Sequence, residues 1–452
     1  MPYTRARSVV FWLFPARSIL PAPLPVAGYF DTLTFRTIAG VSRDHEPIMT
    51  PFYRIQRLPP YVFEEVNRIK ATARKAGADI IDLGMGNPDL DAPRHVKDKL
   101  IETVNKTRID RYSASKGIAG LRRAQAGYYA RRFGVKVNPD TQIVATLGSK
   151  EGFANMAQAI TAPGDVIVVP DPSYPIHAFG FLMAGGTIRS IPAEPTPNFF
   201  ALLERALIHS IPKPIAVVVC YPSNPTALVA SLDFYKDLVH FAKKHEIFIL
   251  SDLAYAELYF NGEPPPSVLQ VEGALDVTVE FTSMSKTYSM AGWRIGFAVG
   301  NERLISALTR VKSYLDYGAY TPIQVAATAA LNGPDDCINE MRAIYKKRRD
   351  VMVESFCKAG WPLPSPEASM FVWAQVPERF RDLGSLEFSK LMIEKAEVAV
   401  APGIGFGEQG EGFVRLALVE NEQRIRQAAR GFRRLMDAAD SGSLDNVVRL
   451  AR

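Results

Sequence analysis

The sequence predicts an α/β protein: a mostly parallel central sheet flanked by helices in a large domain, with a smaller α+β domain beside it. Three observations carry this prediction. At 452 residues the chain exceeds what one hydrophobic core usually serves, so two domains with extensions are expected. Through its centre, short β-rich apolar runs alternate with amphipathic segments of helical length, the pattern of a parallel sheet whose strands are buried on both faces. Near Gly333-Pro334 the pattern shifts to helices with few strands.

In chain order, residues 1–48 contain arginines, have no acid before Asp31, are broken by prolines and lack periodicity. They read as an unstructured or artefactual extension, in preference to a targeting segment. After Met49 the sequence becomes patterned, and residues 49–100 are assigned to an arm and part of the small domain. Pro59-Pro60 makes an entry, and Val62, Val66 and Ile69 recur at helical spacing up to Gly77, predicting a helix there. The large domain is assigned to residues 101–332, with buried strands at 143–147, 166–169, 215–220, 247–250 and 277–281. Each is followed by a polar, turn-rich loop, and a parallel sheet gathers such loops along its carboxyl edge. Residues 333–437 are assigned to the small domain, with a strand at 413–418, and residues 438–452 to a frayed tail.

Composition narrows the function. The 53 basic and 47 acidic residues are mixed along the chain, so the net charge of +6 forms no stripe for a nucleic acid. Cys220, Cys337 and Cys357 are too scattered for a disulfide framework or a zinc site, so no metal is expected and a reducing cytoplasm fits. The apolar run at 9–14 is cut by Pro15 and Arg17, and no stretch approaches the roughly twenty apolar residues that would span a membrane.

The loop after residues 277–281 reads Ser283-Met284-Ser285-Lys286 and continues to Gly292-Trp293-Arg294-Ile295-Gly296. Two hydroxyls and a guanidinium suit a phosphate, the glycines let backbone approach a ligand, and a desolvated lysine amine can attack an aldehyde. By itself Ser-x-Ser-Lys would describe a solvated loop; its weight comes from the other strand ends. Gly148-Ser149-Lys150-Glu151-Gly152 joins a strand to an amphipathic helix, so its N–H groups can cradle a phosphate. Asp252 ends a buried strand, where a carboxylate can keep a pyridinium nitrogen protonated, although a lone strand-end Asp commonly caps a helix. Tyr255 and Asn224 can hydrogen-bond a phenolate oxygen, Asn224 in isolation being simply a turn residue. Tyr174 can stack on a planar ring. Arg415, in Phe413-Val414-Arg415-Leu416-Ala417, offers a bidentate fork to a carboxylate, where the plainer alternative is an edge arginine in water. Together these groups suit pyridoxal phosphate held as a Schiff base on Lys286.

In this order the motifs resemble those of the fold-type I, class I/II pyridoxal-phosphate aminotransferases, over roughly residues 53–436. Leu58-Pro59-Pro60-Tyr61-Val62-Phe63, Met85-Gly86-Asn87-Pro88-Asp89 and Pro172-Ser173-Tyr174-Pro175-Ile176-His177 are most similar to the bacterial alanine (glutamate–pyruvate) aminotransferases, with the diaminopimelate aminotransferases close behind. The resemblance implies that Lys286 carries the cofactor and moves the substrate's Cα proton, that Asp252 pairs the ring nitrogen, and that Asn224 and Tyr255 hold the phenolic oxygen. It implies a phosphate site of Ser149, Lys150, Ser283, Ser285 and Arg294, with Tyr174 on the ring. Arg415 would take the substrate α-carboxylate, with Tyr61, Gly86 and Asn224 on the substrate side. Tyr112 would reach the phosphate of a second subunit, so a homodimer with composite sites is implied. Ala227 stands where the family usually has glycine, and Thr321 where relatives often have asparagine.

The implied reaction is L-alanine plus 2-oxoglutarate giving pyruvate plus L-glutamate. Diaminopimelate, aspartate or another amino acid as donor, or a β-lyase on the same fold, are the alternatives. A regulator joining an aminotransferase-like domain to a DNA-binding head is a further class, for which residues 1–48 are too short and proline-broken.

Overall fold

The structure, a computed structural model, describes residues 52–441. The extension expected at 1–48 and the last eleven residues, 442–452, lie outside the described residues. The predicted N-terminal helix spans Val62–Lys75, with Tyr61 as its N-cap and Gly77 in the left-handed region after it. Its buried face carries Val66 and Lys70. The strand β1 (Ile81–Asp82) follows, then the helices Arg94–Val104 and Ala119–Phe133.

The central sheet contains β2 (Ile143–Thr146), β3 (Val166–Asp171), β4 (Thr187–Pro192), β5 (Ala216–Cys220), β6 (Phe248–Asp252), β7 (Thr278–Ser283) and β8 (Gly296–Gly300), in the order β2-β8-β7-β6-β5-β3-β4. β8 runs antiparallel to both neighbours; the remaining pairs are parallel. All five predicted strands are present within one or two residues, and β4 and β8 are additional. Along β5, Val217 and Val219 enter one hydrophobic layer while Ala216 and Val218 enter another. A continuous apolar run is therefore what this position requires, because both faces are covered by helices. The chain leaves β3 for β4 on one side and returns to β5 on the other, so a crevice opens at the carboxyl ends where the winding reverses.

Beyond the long helix Asp336–Lys358 come β9 (Phe371–Gln375), β10 (Val398–Ala399), β11 (Ala401–Pro402) and β12 (Phe413–Ala417). β12 lies between β11 and β9 in an antiparallel sheet, while β10 pairs in parallel with β1. That last pairing brings the segment after the first helix against the C-terminal strands. The final helix, Glu422–Asp440, buries Ala439, so the fraying expected from Ala438 does not start there. Among the described residues no helix is long and apolar enough to cross a membrane.

Candidate active site

The turn after β2 is shaped for an anion. Gly148 has φ +88°, and a Cβ there would lie 2.3 Å from Arg294 Nη2, so only glycine lets the guanidinium cross the turn. Arg294 is itself left-handed (φ 56°, ψ 59°) and donates from Nη2 to the Leu147 carbonyl at 3.0 Å and from Nη1 to that of Ala291 at 2.9 Å. Gly296 lets β8 approach the start of the helix Ser149–Ile160, since a Cβ would stand 2.9 Å from the Ser149 nitrogen. Gly292 plays no such part; nothing lies within 4 Å of its would-be Cβ. The Ser283 hydroxyl accepts from the Ser285 N–H at 3.2 Å, and both serines are buried. Ser149, Lys150, Ser283, Ser285 and Arg294 thus line one end of a single cavity of about 320 Å³, at a helix N-terminus. Lys150 sends its ammonium over the Tyr174 ring, 5.7 Å from the centroid, leaving its backbone at the turn.

Asp252 stands at the end of β6, 5% exposed. Its Oδ1 accepts from the Ala254 N–H at 3.1 Å, and its Oδ2 is 3.0 Å from His177 Nε2. His177, fully buried against Phe153, is a partner that the sequence marked only as part of a motif; nothing in its spacing signals the contact. His177, Cys220 and Asp252 have ligand atoms within 4.8 Å of one another. They suit a hydrogen-bonded cluster better than a metal, because burial pushes the Cys220 thiol well above its usual range and its Sγ contacts the Pro222 carbonyl. Tyr255 lies beside them, its phenol also raised by burial and so kept as a donor. Tyr174, raised to about 12 by burial and then by Tyr61 and Asp252, lines the same wall.

Lys286, on the short helix Met284–Thr287 after β7, donates from Nζ to the Gly86 carbonyl at 2.8 Å. Burial, and then the charges of Arg415 and Arg294, lower its pKa to about 7. A large fraction of the amine is therefore unprotonated near neutrality, as a nucleophile or a base requires. Arg415, from β12, is 7% exposed and has neutral partners: Asn224 Oδ1 at 2.7 Å and the Gly84 carbonyl at 2.9 Å. Phe371 and Phe406 hold its guanidinium, with centroids at 4.1 and 4.7 Å. Burial lowers it to about 10, and its Nε has no hydrogen-bond partner among the described residues. A buried cation with neutral neighbours is a site for an anionic group. Gly86 is needed here as well, because a Cβ would meet the Phe371 ring edge at 2.7 Å. Tyr61 forms the rim, 55% exposed and edge-on to Phe63, which in turn packs on Phe406.

All the candidate catalytic, cofactor and substrate residues read from the sequence line this cavity except Tyr112. Tyr112 is 85% exposed and pairs with Tyr317 at 4.7 Å. Ala227, in place of glycine, nevertheless adopts φ 59°, so the turn after Asn224 is kept with alanine in a strained region. Phe371, Phe406, Lys70 and Asp82 also line the cavity and were not singled out beforehand. An anion cup, a buried carboxylate, a lysine amine of lowered pKa and a buried guanidinium with neutral partners together fit a flat phosphorylated aldehyde and a carboxylate substrate.

Comparison with known proteins agrees. The family model described as aminotransferase class I and II matches residues 78–432. A Rhizobium meliloti (strain 1021) protein named "Putative aminotransferase AatC" is 72% identical, over 89% of this chain and 99% of its own length. Glutamate-pyruvate aminotransferase AlaC of Escherichia coli (strain K12) is 48% identical, over 86% of this chain and 94% of its own. Among solved structures, substrate-bound BacF from Bacillus subtilis superposes with a TM-score of 0.80 at 35% identity, covering 86% of this chain and 98% of that one.

Proposed function

The chain belongs to the aminotransferase class I and II family, which is pyridoxal-phosphate dependent, and from that premise we propose that it moves the amino group of L-alanine to 2-oxoglutarate, giving pyruvate and L-glutamate. The observation that carries this reading is the joint attachment of Lys286 and Arg415 to one loop, at Gly86 and Gly84, beside the Gly148 cup. The choice of alanine is supported by the likeness to AlaC.

When bound, pyridoxal phosphate supplies an aldehyde carbon and a protonated ring that takes up electron density. Ser149, Ser283, Ser285, Arg294 and the backbone of Lys150 would hold its phosphate. Asp252, oriented by His177, would keep the proton on the ring nitrogen; Asn224 and Tyr255 would serve the phenolic oxygen, and Tyr174 would cover the ring. Lys286 would hold the cofactor covalently. Its amine, when free, takes the proton from the substrate's Cα and hands it on, a task suited to a pKa of about 7. Arg415 would fix the α-carboxylate, with Asn224 locking the guanidinium and Gly86 and Tyr61 bounding the substrate side.

The functional unit in this reading is a homodimer with composite sites. It is supported by Tyr112 and Tyr317, an exposed aromatic pair on the surface outside their own chain's cavity.

The decisive experiment is kcat/KM over a panel of amino donors and oxo acids. Alanine with 2-oxoglutarate should exceed aspartate and LL-diaminopimelate by about tenfold or more. Faster turnover of diaminopimelate would sink the alanine assignment while leaving transamination intact. Lys286→Ala should abolish both amino transfer and the absorbance of covalently held cofactor, and survival of both would refute the lysine's role.

A further inference from the structure

At the end of the cavity near the first helix lies an ion pair that the reaction does not use. Lys70 Nζ is 2.6 Å from Asp82 Oδ2, with side chains 11% and 18% exposed. A mostly buried ion pair is poor evidence of stabilisation, because desolvation offsets the attraction, so its geometry needs another explanation. The second oxygen supplies one. Asp82 Oδ1 accepts from the N–H groups of both Gly84 and Met85, at 3.1 and 3.2 Å. It therefore fixes the loop 84–86, whose carbonyls receive Arg415 at Gly84 and Lys286 at Gly86. The loop has little other freedom. Leu83 is hydrogen-bonded to Ala399 and Ala417, and a Cβ on Gly84 would meet the Val400 backbone at 3.1 Å.

We propose that Asp82, clamped by Lys70, is a positioning residue that sets where the Arg415 guanidinium and the Lys286 amine stand relative to each other. This rests on the reading of Arg415 as the carboxylate anchor. Arg74 Nη2 stands 4.0 Å from the same Asp82 oxygen, so the carboxylate faces two cations of the first helix, Lys70 being the nearer. The substitution Asp82→Asn keeps the shape but removes the charge and the pairing with Lys70. The loop is then held more loosely, and the carboxylate anchor is less well oriented.

The test is a double-mutant cycle on the cofactor-loaded enzyme, with glutarate as probe and its Kd read by calorimetry. Glutarate has the carboxylates of 2-oxoglutarate and no reactive oxo group. Asp82→Asn should weaken it about tenfold and Arg415→Ala about a hundredfold. The double variant should be no weaker than Arg415→Ala alone, because Asp82 acts through Arg415. Losses that multiply, or an unchanged Kd in Asp82→Asn, would overturn the proposal while leaving the Arg415 reading standing. An unchanged Kd in Arg415→Ala would overturn both. If Asp82→Asn fails to retain cofactor, Lys70→Met enters the same cycle with the same expectations.

Discussion

At the scale of single residues, the site depends on places where a side chain would not fit. Gly148 is the clearest, because two demands coincide there: φ is +88° and the space of a Cβ is taken by the Arg294 guanidinium. With ψ at 159° the backbone lies in a region essentially reserved for glycine, so alanine there would cost about 1–3 kcal/mol and push the guanidinium off the turn. Gly148→Ala should therefore weaken pyridoxal phosphate by at least about tenfold, measured as cofactor Kd by absorbance, with a smaller effect on the KM of already loaded enzyme. Equal affinity for both proteins would show that the turn does not hold the phosphate. The same reasoning separates Gly148 from Gly292. Both are glycines beside the predicted phosphate residues, and only the first is constrained by a neighbour.

At the scale of elements, β7 leads into the short helix that carries Lys286 and also holds a buried carboxyl that does not line the cavity. Glu280 is fully buried and accepts hydrogen bonds from Tyr129, Ser251, Ser267 and the Val268 N–H. Burial outweighs these donors and raises its pKa from 4.5 to about 7. Because the folded value lies above the unfolded one, the group costs nothing below pH 4.5, where both states are protonated. Stability falls as pH rises from there to about 7, by on the order of 3 kcal/mol. Glu280→Gln should flatten that part of the curve, and unfolding midpoints of wild type and variant between pH 5 and 8 would reveal it; parallel curves would exclude the effect. The central strands β6 and β7 were legible from short β-rich runs, 247–250 being continuously apolar and 277–281 alternating Val277, Val279 and Phe281 with Thr278 and Glu280. β4 was not: it is an edge strand, mostly exposed, with the polar pattern Thr187–Pro192. β8 hid for another reason, being five residues bounded by glycines. In the site, Lys286, Asp252 and Arg415 were legible because each sits at or beside a strand with a recognisable pattern. His177, Asp82 and Lys70 were not, since their significance lies in contacts across 75 residues or, for Lys70 and Asp82, between a helix and a strand whose packing no local pattern encodes.

At the scale of the whole molecule, residues as distant in sequence as Tyr61 and Arg415 share one cavity, and Tyr112 alone among the predicted cofactor residues stands apart from it. If Tyr112 serves a partner's phosphate, then Tyr112 and Lys286 of one chain belong to different sites. That arrangement has a consequence that a self-contained site lacks. Lys286→Ala and Tyr112→Ala homodimers should each be impaired, the first completely. In a mixed dimer, however, one of the two sites would combine an intact Lys286 with an intact Tyr112, and the other would lack both. A two-fold dimer formed by random exchange between equal amounts of the two variants would contain about half hybrids, so about a quarter of all sites should regain full activity. Activity after co-refolding or co-expression, compared with the sum of the separately prepared variants, checks this. No gain over that sum, in samples shown by mass to contain hybrids, would mean that Tyr112 acts within its own chain or not at all.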